Sequence, residues 1–243
     1  MSKRADSSLR RAASGPAPPA GAYSIAFEDE HLLVVDKGPG LVVHPARGHA
    51  QGTLSQLLAG SARGGDPERA GIVHRLDRDT SGLLVVARDE EVHRRLRLAL
   101  SKRQIEREYL ALVQGRPPAR SGTIEAPIGR DPRARTRMAI GGAGARQART
   151  HFQIERALAG TSLLRLRLES GRTHQIRVHQ RAIGHPVCGD RAYGVAGALG
   201  LERQFLHACR LAFDHPVMGG RVDVRSPLPD DLRRALGRAE RLS

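Results

Sequence analysis

The chain has 243 residues, 40% of them hydrophobic and 27% charged, which is the balance of a globular domain and excludes a wholly disordered chain. Lys+Arg number 40 against 25 Asp+Glu, a formal charge of +15, and since lysine occurs only at Lys3, Lys37 and Lys102 the excess is almost entirely arginine, the side chain whose planar fork suits the phosphates of a polyanionic partner. Two cysteines, Cys188 and Cys209, exclude a disulfide scaffold and fit a reducing cytoplasm, no apolar run approaches the ~18 residues of a membrane span, and the N-terminus lacks the apolar centre of a secretory signal.

Residues 1–22 are small, basic and Pro-rich, and read as a disordered basic tail ahead of one domain over 23–243. Ile25 and Phe27 alternate with polar neighbours, and the run LLVV at 32–35 is bounded by charge. These predict two strands, followed by a turn at Lys37-Gly38-Pro39-Gly40. A short helix is expected over 53–60, then a polar loop, then a buried strand at 83–88 with Ser81 and Gly82 supplying the turn before it. Asp89 caps a predicted helix to about Lys102, with Val92, Leu96 and Leu100 four apart.

EYLALV at 108–113 reads as a strand, and the Gly-, Pro- and Arg-rich stretch 116–150 as hairpins with long loops. LLRLRLE at 163–169 alternates strictly, as a half-buried strand does. Thr173 is placed to cap a helix through Ile183, ended by Gly184 and Pro186. A strand over 205–216 and a terminal helix over 230–240 complete an α+β domain with a mixed or antiparallel sheet, without internal repeat or second core. Between 130 and 181 there are 12 arginines against Asp131, Glu155 and Glu169, which predicts a continuous basic groove in place of a merely solvated face.

Several chemistries are absent from the sequence. No lysine precedes Ser or Thr as a P-loop requires, there is no Gly-x-Ser-x-Gly or His-Glu-x-x-His, and the Cys and His spacings make no zinc site. His174 and His179 are five apart, off a shared helix face, and the glycines at 141–144 follow no strand that would make them a dinucleotide turn. Two dense clusters remain. In GIVHRLDRDTSGLLVVARDE (71–90), Asp77 lies just before a buried strand, flanked by His74, Arg75 and Arg78, a setting for a nucleophile or base. From spacing alone, Asp77 or Asp79 could equally cap a turn and pair with arginine. In ESGRTHQIRVHQRAIGHPVCGD (169–190), Gly171-Arg172-Thr173 joins a strand to a helix whose amide end attracts anions. Arg177, four residues after Thr173, is either a surface arginine or the partner of a carboxylate in the first cluster.

These two clusters, together with EDEHLLVVDKGPGLVVHPA, REYLALVQG and FLHACRLAFDHP in the same order over roughly 25–218, resemble the RluA family of RNA pseudouridine synthases. The His-Arg-Leu-Asp form separates it from relatives with Gly-Arg-Leu-Asp. The resemblance implies a pseudouridine synthase catalytic fold: a central, mostly antiparallel bent sheet flanked by helices and loops, with the active cleft across its middle. It implies an isomerisation in which the N1–C1′ bond of an RNA uridine breaks, the uracil turns, and C5 rejoins C1′, with no cofactor and no metal.

By the same resemblance Asp77 matches the catalytic aspartate, Tyr109 the tyrosine against the target base, Arg177 the cation that orients the aspartate, and Ile176 an apolar residue of the cleft. Arg75 matches a position that fills the stack left by a flipped base, and His74 and Arg172 join it as RNA-facing residues. The family's Lys-Pro turn appears as Lys37-Gly38-Pro39-Gly40, and only about 22 low-complexity residues stand where many members carry an RNA-binding module. The expected partner is ribosomal large-subunit RNA or tRNA, the expected location the cytoplasm, and a monomer the default. A non-catalytic RNA-binding or ribosome-assembly protein is the competing reading, but it has no use for Asp77, Tyr109 and Arg177 together. A glycosidase-like enzyme would want a second carboxylate to activate water, and the sequence offers none that convinces.

Overall fold

The computed structural model describes residues 22–46, 49–66, 69–134 and 136–243. The tail expected over 1–22 lies outside the described residues except for Ala22, which is buried and whose carbonyl accepts the Gly38 N–H at 2.8 Å.

In chain order the elements are β1 (Tyr23–Glu28), β2 (Leu32–Lys37), α1 (Leu54–Leu57), β3 (Ser81–Ala87), α2 (Glu90–Ser101), β4 (Glu106–Gln114), β5 (Ser121–Glu125), β6 (Ile128–Arg130), β7 (Met138–Ile140), β8 (Ala143–Arg146), β9 (Arg149–Leu158), β10 (Thr161–Leu168), α3 (Gln175–Ala182), β11 (Leu206–Asp214), β12 (Arg221–Arg225) and α4 (Asp230–Arg241). The main sheet runs β1-β2-β3-β11-β4-β10-β9-β5, with β12 on β11, and every pairing is antiparallel except β11 with β3. A small sheet, β7-β6-β8, stands apart from it. The fold is therefore α+β with a mostly antiparallel sheet, as the sequence implied. Among the described residues no helix is long and apolar enough to cross a membrane.

The continuous apolar runs of β2 and β3 follow from burial on both faces. Leu33, Val35, Leu84 and Val86 enter one cluster with Leu112, Leu164 and Leu166 and with Leu232, Ala235 and Leu236 of α4. Leu32, Val34, Leu83 and Val85 enter another on the opposite face, closed by Val92 and Leu96 of α2 and by Phe213. The single core expected from sequence is thus divided by the sheet. β10 is covered on one side only along its outer half: Leu164, Leu166 and Leu168 point inward while Arg165 reaches Glu108 and Glu155.

Asp89 caps α2 as expected, its Oδ1 accepting the Val92 N–H at 2.8 Å, a contact typically worth about 1 kcal/mol. Four expectations change. The first helix is one turn, Leu54–Leu57, capped by Thr53. Ser81 and Gly82 open β3 and do not form the turn, which is made by 77–80 and closed by Thr80 N–H to Asp77 O at 3.1 Å. Gly82 is needed there because β11 comes alongside: a Cβ would lie 2.2 Å from Ala208 O. β9 was hidden in a polar sequence that shows no clean alternation, and β12 in the charged segment after β11. Thr173 does not cap α3. The cap is His174 in the left-handed region (φ 56°), without a side-chain cap bond. Gln175 holds the helix start instead, its Oε1 accepting from Ser170 Oγ (2.8 Å) and Arg172 N–H (3.0 Å) and its Nε2 donating to Arg149 O.

Candidate active site

The 77–80 turn stands on buried cations. Lys37 Nζ donates to Arg78 O at 2.8 Å and Gly38 O at 2.7 Å, and Arg203 donates to Asp79 O at 3.0 Å while its fork grips Asp231. Burial pushes the Lys37 ammonium down to about 7, against the pull of Asp79. The two aspartates of the turn then part company. Asp79 pairs with its exposed neighbour Arg78, whereas Asp77 turns inward and accepts from Arg177 at 3.0 Å.

Arg177, 7% exposed, lies in the first turn of α3 and is the centre of the site. Nε and one terminal nitrogen fork onto Asp190 at 2.6 and 2.9 Å, and the other terminal nitrogen holds Asp77. The fully buried Asp190 also accepts the N–H groups of Ala192 (2.9 Å) and Tyr193 (3.1 Å). Burial alone would strip charge from this pair. Its hydrogen bonds outweigh that, so the Arg177 pKa is raised and the Asp190 pKa lowered. Arg177 lies 4.9 Å from the ring centre of Tyr193, whose hydroxyl accepts from Met138 N–H (2.7 Å) and meets His174 Nδ1 at 2.7 Å. Burial lowers the His174 pKa despite the nearby Asp77, which favours a neutral imidazole able to accept that hydroxyl proton.

Asp77 and Arg177 open onto a cleft of about 490 Å³ including its mouth, with Tyr109, Leu76, Ile176 and Leu206 as largely apolar walls. Tyr109 is 5% exposed on β4, and burial raises its phenol pKa, so the ring presents a neutral flat surface. Ile176 serves both roles that its sequence allowed, core residue and cleft wall.

Arg75 is exposed, and it lines both this cleft and a larger groove beside it, as do Arg107, Gly171 and Arg172. Arg172 is half-buried, with Nε donating to Gln147 O at 3.1 Å. Among the described residues the groove is lined by eight arginines (69, 75, 97, 103, 107, 146, 149 and 172) against Asp66, Glu125 and Glu169. A basic groove is present, but of the described 130–181 arginines only Arg146, Arg149 and Arg172 line it, the others coming from the first half of the chain. His74 faces the groove floor, not the cleft, and its Nε2 accepts the Val85 N–H at 3.3 Å. Burial, with Arg107 and Arg97 nearby, pushes it down to about 3, which favours the neutral ring that accepts this bond.

The structure therefore brings Asp77, Tyr109, Ile176 and Arg177 together, sets Arg75 and Arg172 at the mouth, and leaves His74 beneath the groove. Sequence reasoning missed Asp190, Tyr193 and Arg107. Only Arg107 had a local signal: it is two residues from Tyr109 on one strand, hence on the same face. Among the described residues no group of three or more His, Cys, Asp or Glu could hold a metal. What remains is a carboxylate locked by a two-anion arginine at the bottom of a cleft with an aromatic wall and a basic approach.

Residues 31–182 match the family described as RNA pseudouridylate synthase, and the chain belongs to it. Among similar curated proteins are ribosomal large subunit pseudouridine synthase D of Nitrosomonas europaea, 47% identical over 221 residues (87% of this chain, 64% of the relative), and an uncharacterized RNA pseudouridine synthase of Chloroflexus aurantiacus, 51% identical over 206 residues (83% and 64%). The chain thus spans about two thirds or less of the length of these relatives. Among solved structures, human RNA pseudouridylate synthase domain containing 1 superimposes with a TM-score of 0.69 at 30% identity, covering 87% of this chain and 86% of that one. The resemblance read from the motifs to the RluA branch is borne out.

Proposed function

We propose that this protein is an RNA pseudouridine synthase that isomerises uridine in ribosomal large-subunit RNA. The observation that carries the reading is Asp77 held at 3.0 Å by Arg177 beside Tyr109 in the cleft, within a chain that belongs to this family. The names of the curated relatives favour large-subunit RNA over tRNA.

A stacked uridine cannot reach Asp77, so the nucleotide is flipped into the cleft at a cost of a few kcal/mol. Arg75, exposed at the mouth, is placed to occupy the vacated stack. The base lies against Tyr109 and the apolar walls, and the ribose faces Asp77. The Asp77 carboxylate promotes cleavage of the N1–C1′ bond, the freed uracil turns within the cleft, C5 bonds to C1′, and the C5 hydrogen leaves as a proton while N1 gains one. The atoms balance without oxidant or co-reactant. Arg177 works through Asp77: anchored by the Asp190 fork, it fixes the direction of the carboxylate without itself meeting the substrate.

The test is to map pseudouridines in ribosomal RNA and tRNA from cells with and without the gene. Loss of one or more sites from large-subunit RNA alone is the expected result. Loss only from tRNA, or from neither, overturns the substrate assignment.

A further inference from the structure

The reaction above gives no task to Arg107. Its side chain leaves the same face of β4 as Tyr109 and reaches the neck where the cleft opens into the basic groove. It is 5% exposed. Among the described residues no carboxylate pairs with it. Among these residues its NH2 makes one long contact with Leu168 O at 3.4 Å, and its Nε has no partner.

A buried cation left without acceptors is costly, and among the described residues the other buried cations each have at least two at ordinary hydrogen-bond length. Arg177 has Asp77 and Asp190, Arg203 has Asp231, and Lys37 has two carbonyls. Gly171 lies against the guanidinium: a Cβ there would sit 3.0 Å from Arg107 NH1. The same unbalanced charge reaches His74, which Arg107 helps to hold neutral.

We propose that Arg107 binds an RNA phosphodiester at this neck, the one flanking the target nucleotide, and so sets the ribose over Asp77. The proposal rests on the RNA reading above and adds a ligand group to it. A nucleotide flipped into the cleft keeps its phosphates at the mouth, where the strand passes into the groove. A phosphate is the charged acceptor that a guanidinium fork matches, and a uracil carbonyl would leave the cation uncompensated.

The experiment uses a synthetic stem-loop carrying the mapped uridine, either unmodified or with one neutral methylphosphonate at the 5′ or the 3′ flanking phosphate. Affinities are measured for wild type, Arg107→Met and Arg107→Gln, together with their melting temperatures without RNA. At one of the two positions the methylphosphonate should weaken wild-type binding about tenfold, as loss of one charge-assisted bond does, and should leave both variants nearly unaffected. Without RNA, at least one variant should melt no lower than wild type, because an uncompensated buried charge has been removed. The unmodified RNA is also assayed for pseudouridine with the wild type. If none forms, the synthase reading fails and this proposal with it. If pseudouridine forms but each methylphosphonate penalises wild type and variants alike, only the Arg107 assignment is overturned. Melting temperatures lowered in both variants would overturn it equally, since Arg107 would then be holding the fold together.

Discussion

Arg177 and Arg107 are both buried guanidinium groups lining one cleft, and their surroundings are opposite. Every nitrogen of Arg177 that donates does so to a carboxylate: two to Asp190, one to Asp77. Among the described residues Arg107 has a single long contact to a carbonyl. The first arrangement is complete before any ligand arrives and can only orient what it holds. The second is incomplete and sits where the strand of a nucleic acid would pass. The difference separates a half of the cleft whose charges are already paired from a half whose charge is not, and each half can be disturbed alone.

The largest effect is expected at the complete half. Arg177→Ala leaves Asp190 buried without its partner and Asp77 unguided. Breaking such a pair on one side typically costs about 3–5 kcal/mol of stability. Misplacing a reacting group by an ångström costs turnover on the order of 10²-fold. Arg177→Lys keeps the charge but cannot fork, and should fall between. Urea unfolding and single-turnover kinetics on the three proteins check the order, and the salt dependence of RNA binding should barely change. Asp190→Asn comes next: it never meets substrate, yet turnover should fall because Arg177 loses its anchor, with KM little altered.

A stability effect of intermediate size belongs to the groove floor. His74 is held neutral in the fold down to about pH 3, whereas in the unfolded chain it takes up a proton near ~6.5. Between those values the unfolded state binds more protons, so stability falls as pH falls, by up to about 1.4 kcal/mol per pH unit for this one group. His74→Gln keeps an acceptor for the Val85 N–H and should show a shallower loss between pH 6.5 and 4.5 by urea unfolding. Identical pH profiles would mean that His74 is not the buried neutral group described.

The smallest effect is at the rim. Arg172→Ala should reduce the slope of log K against log salt by about one contact, near 0.7 for single-stranded RNA, with little change in turnover at saturating RNA. A large loss of turnover with an unchanged slope would move Arg172 into the positioning half.

The motifs pointed to most of the residues that meet in the cleft because these lie in two short segments, 75–77 and 176–177, that the sequence already marks by charge and spacing. Asp190 was not readable: it is 13 residues from Arg177 in a segment that returns to it only through the turn after α3, and nothing local links the two. Thr173 misled because a Ser/Thr at a helix start is usually its cap. Here Gln175 outcompetes it by reaching back to Ser170 and Arg172 and across to Arg149. The groove was misassigned to residues 130–181 for a related reason. Its arginines converge from α2 and the turn after it, from β4, β8 and β9, and from the loops before β3 and α3, a convergence set by sheet order that linear charge density does not record.

The central claim is that Asp77 performs the isomerisation. RNA labelled with tritium at C5 of uridine tests it most directly, because C5 must give up its hydrogen when it becomes attached to C1′. Wild type should release tritium in step with pseudouridine formation. Asp77→Asn, which keeps size and loses charge, should bind the same RNA and release none. Tritium release by RNA-bound Asp77→Asn at the wild-type rate would contradict the account.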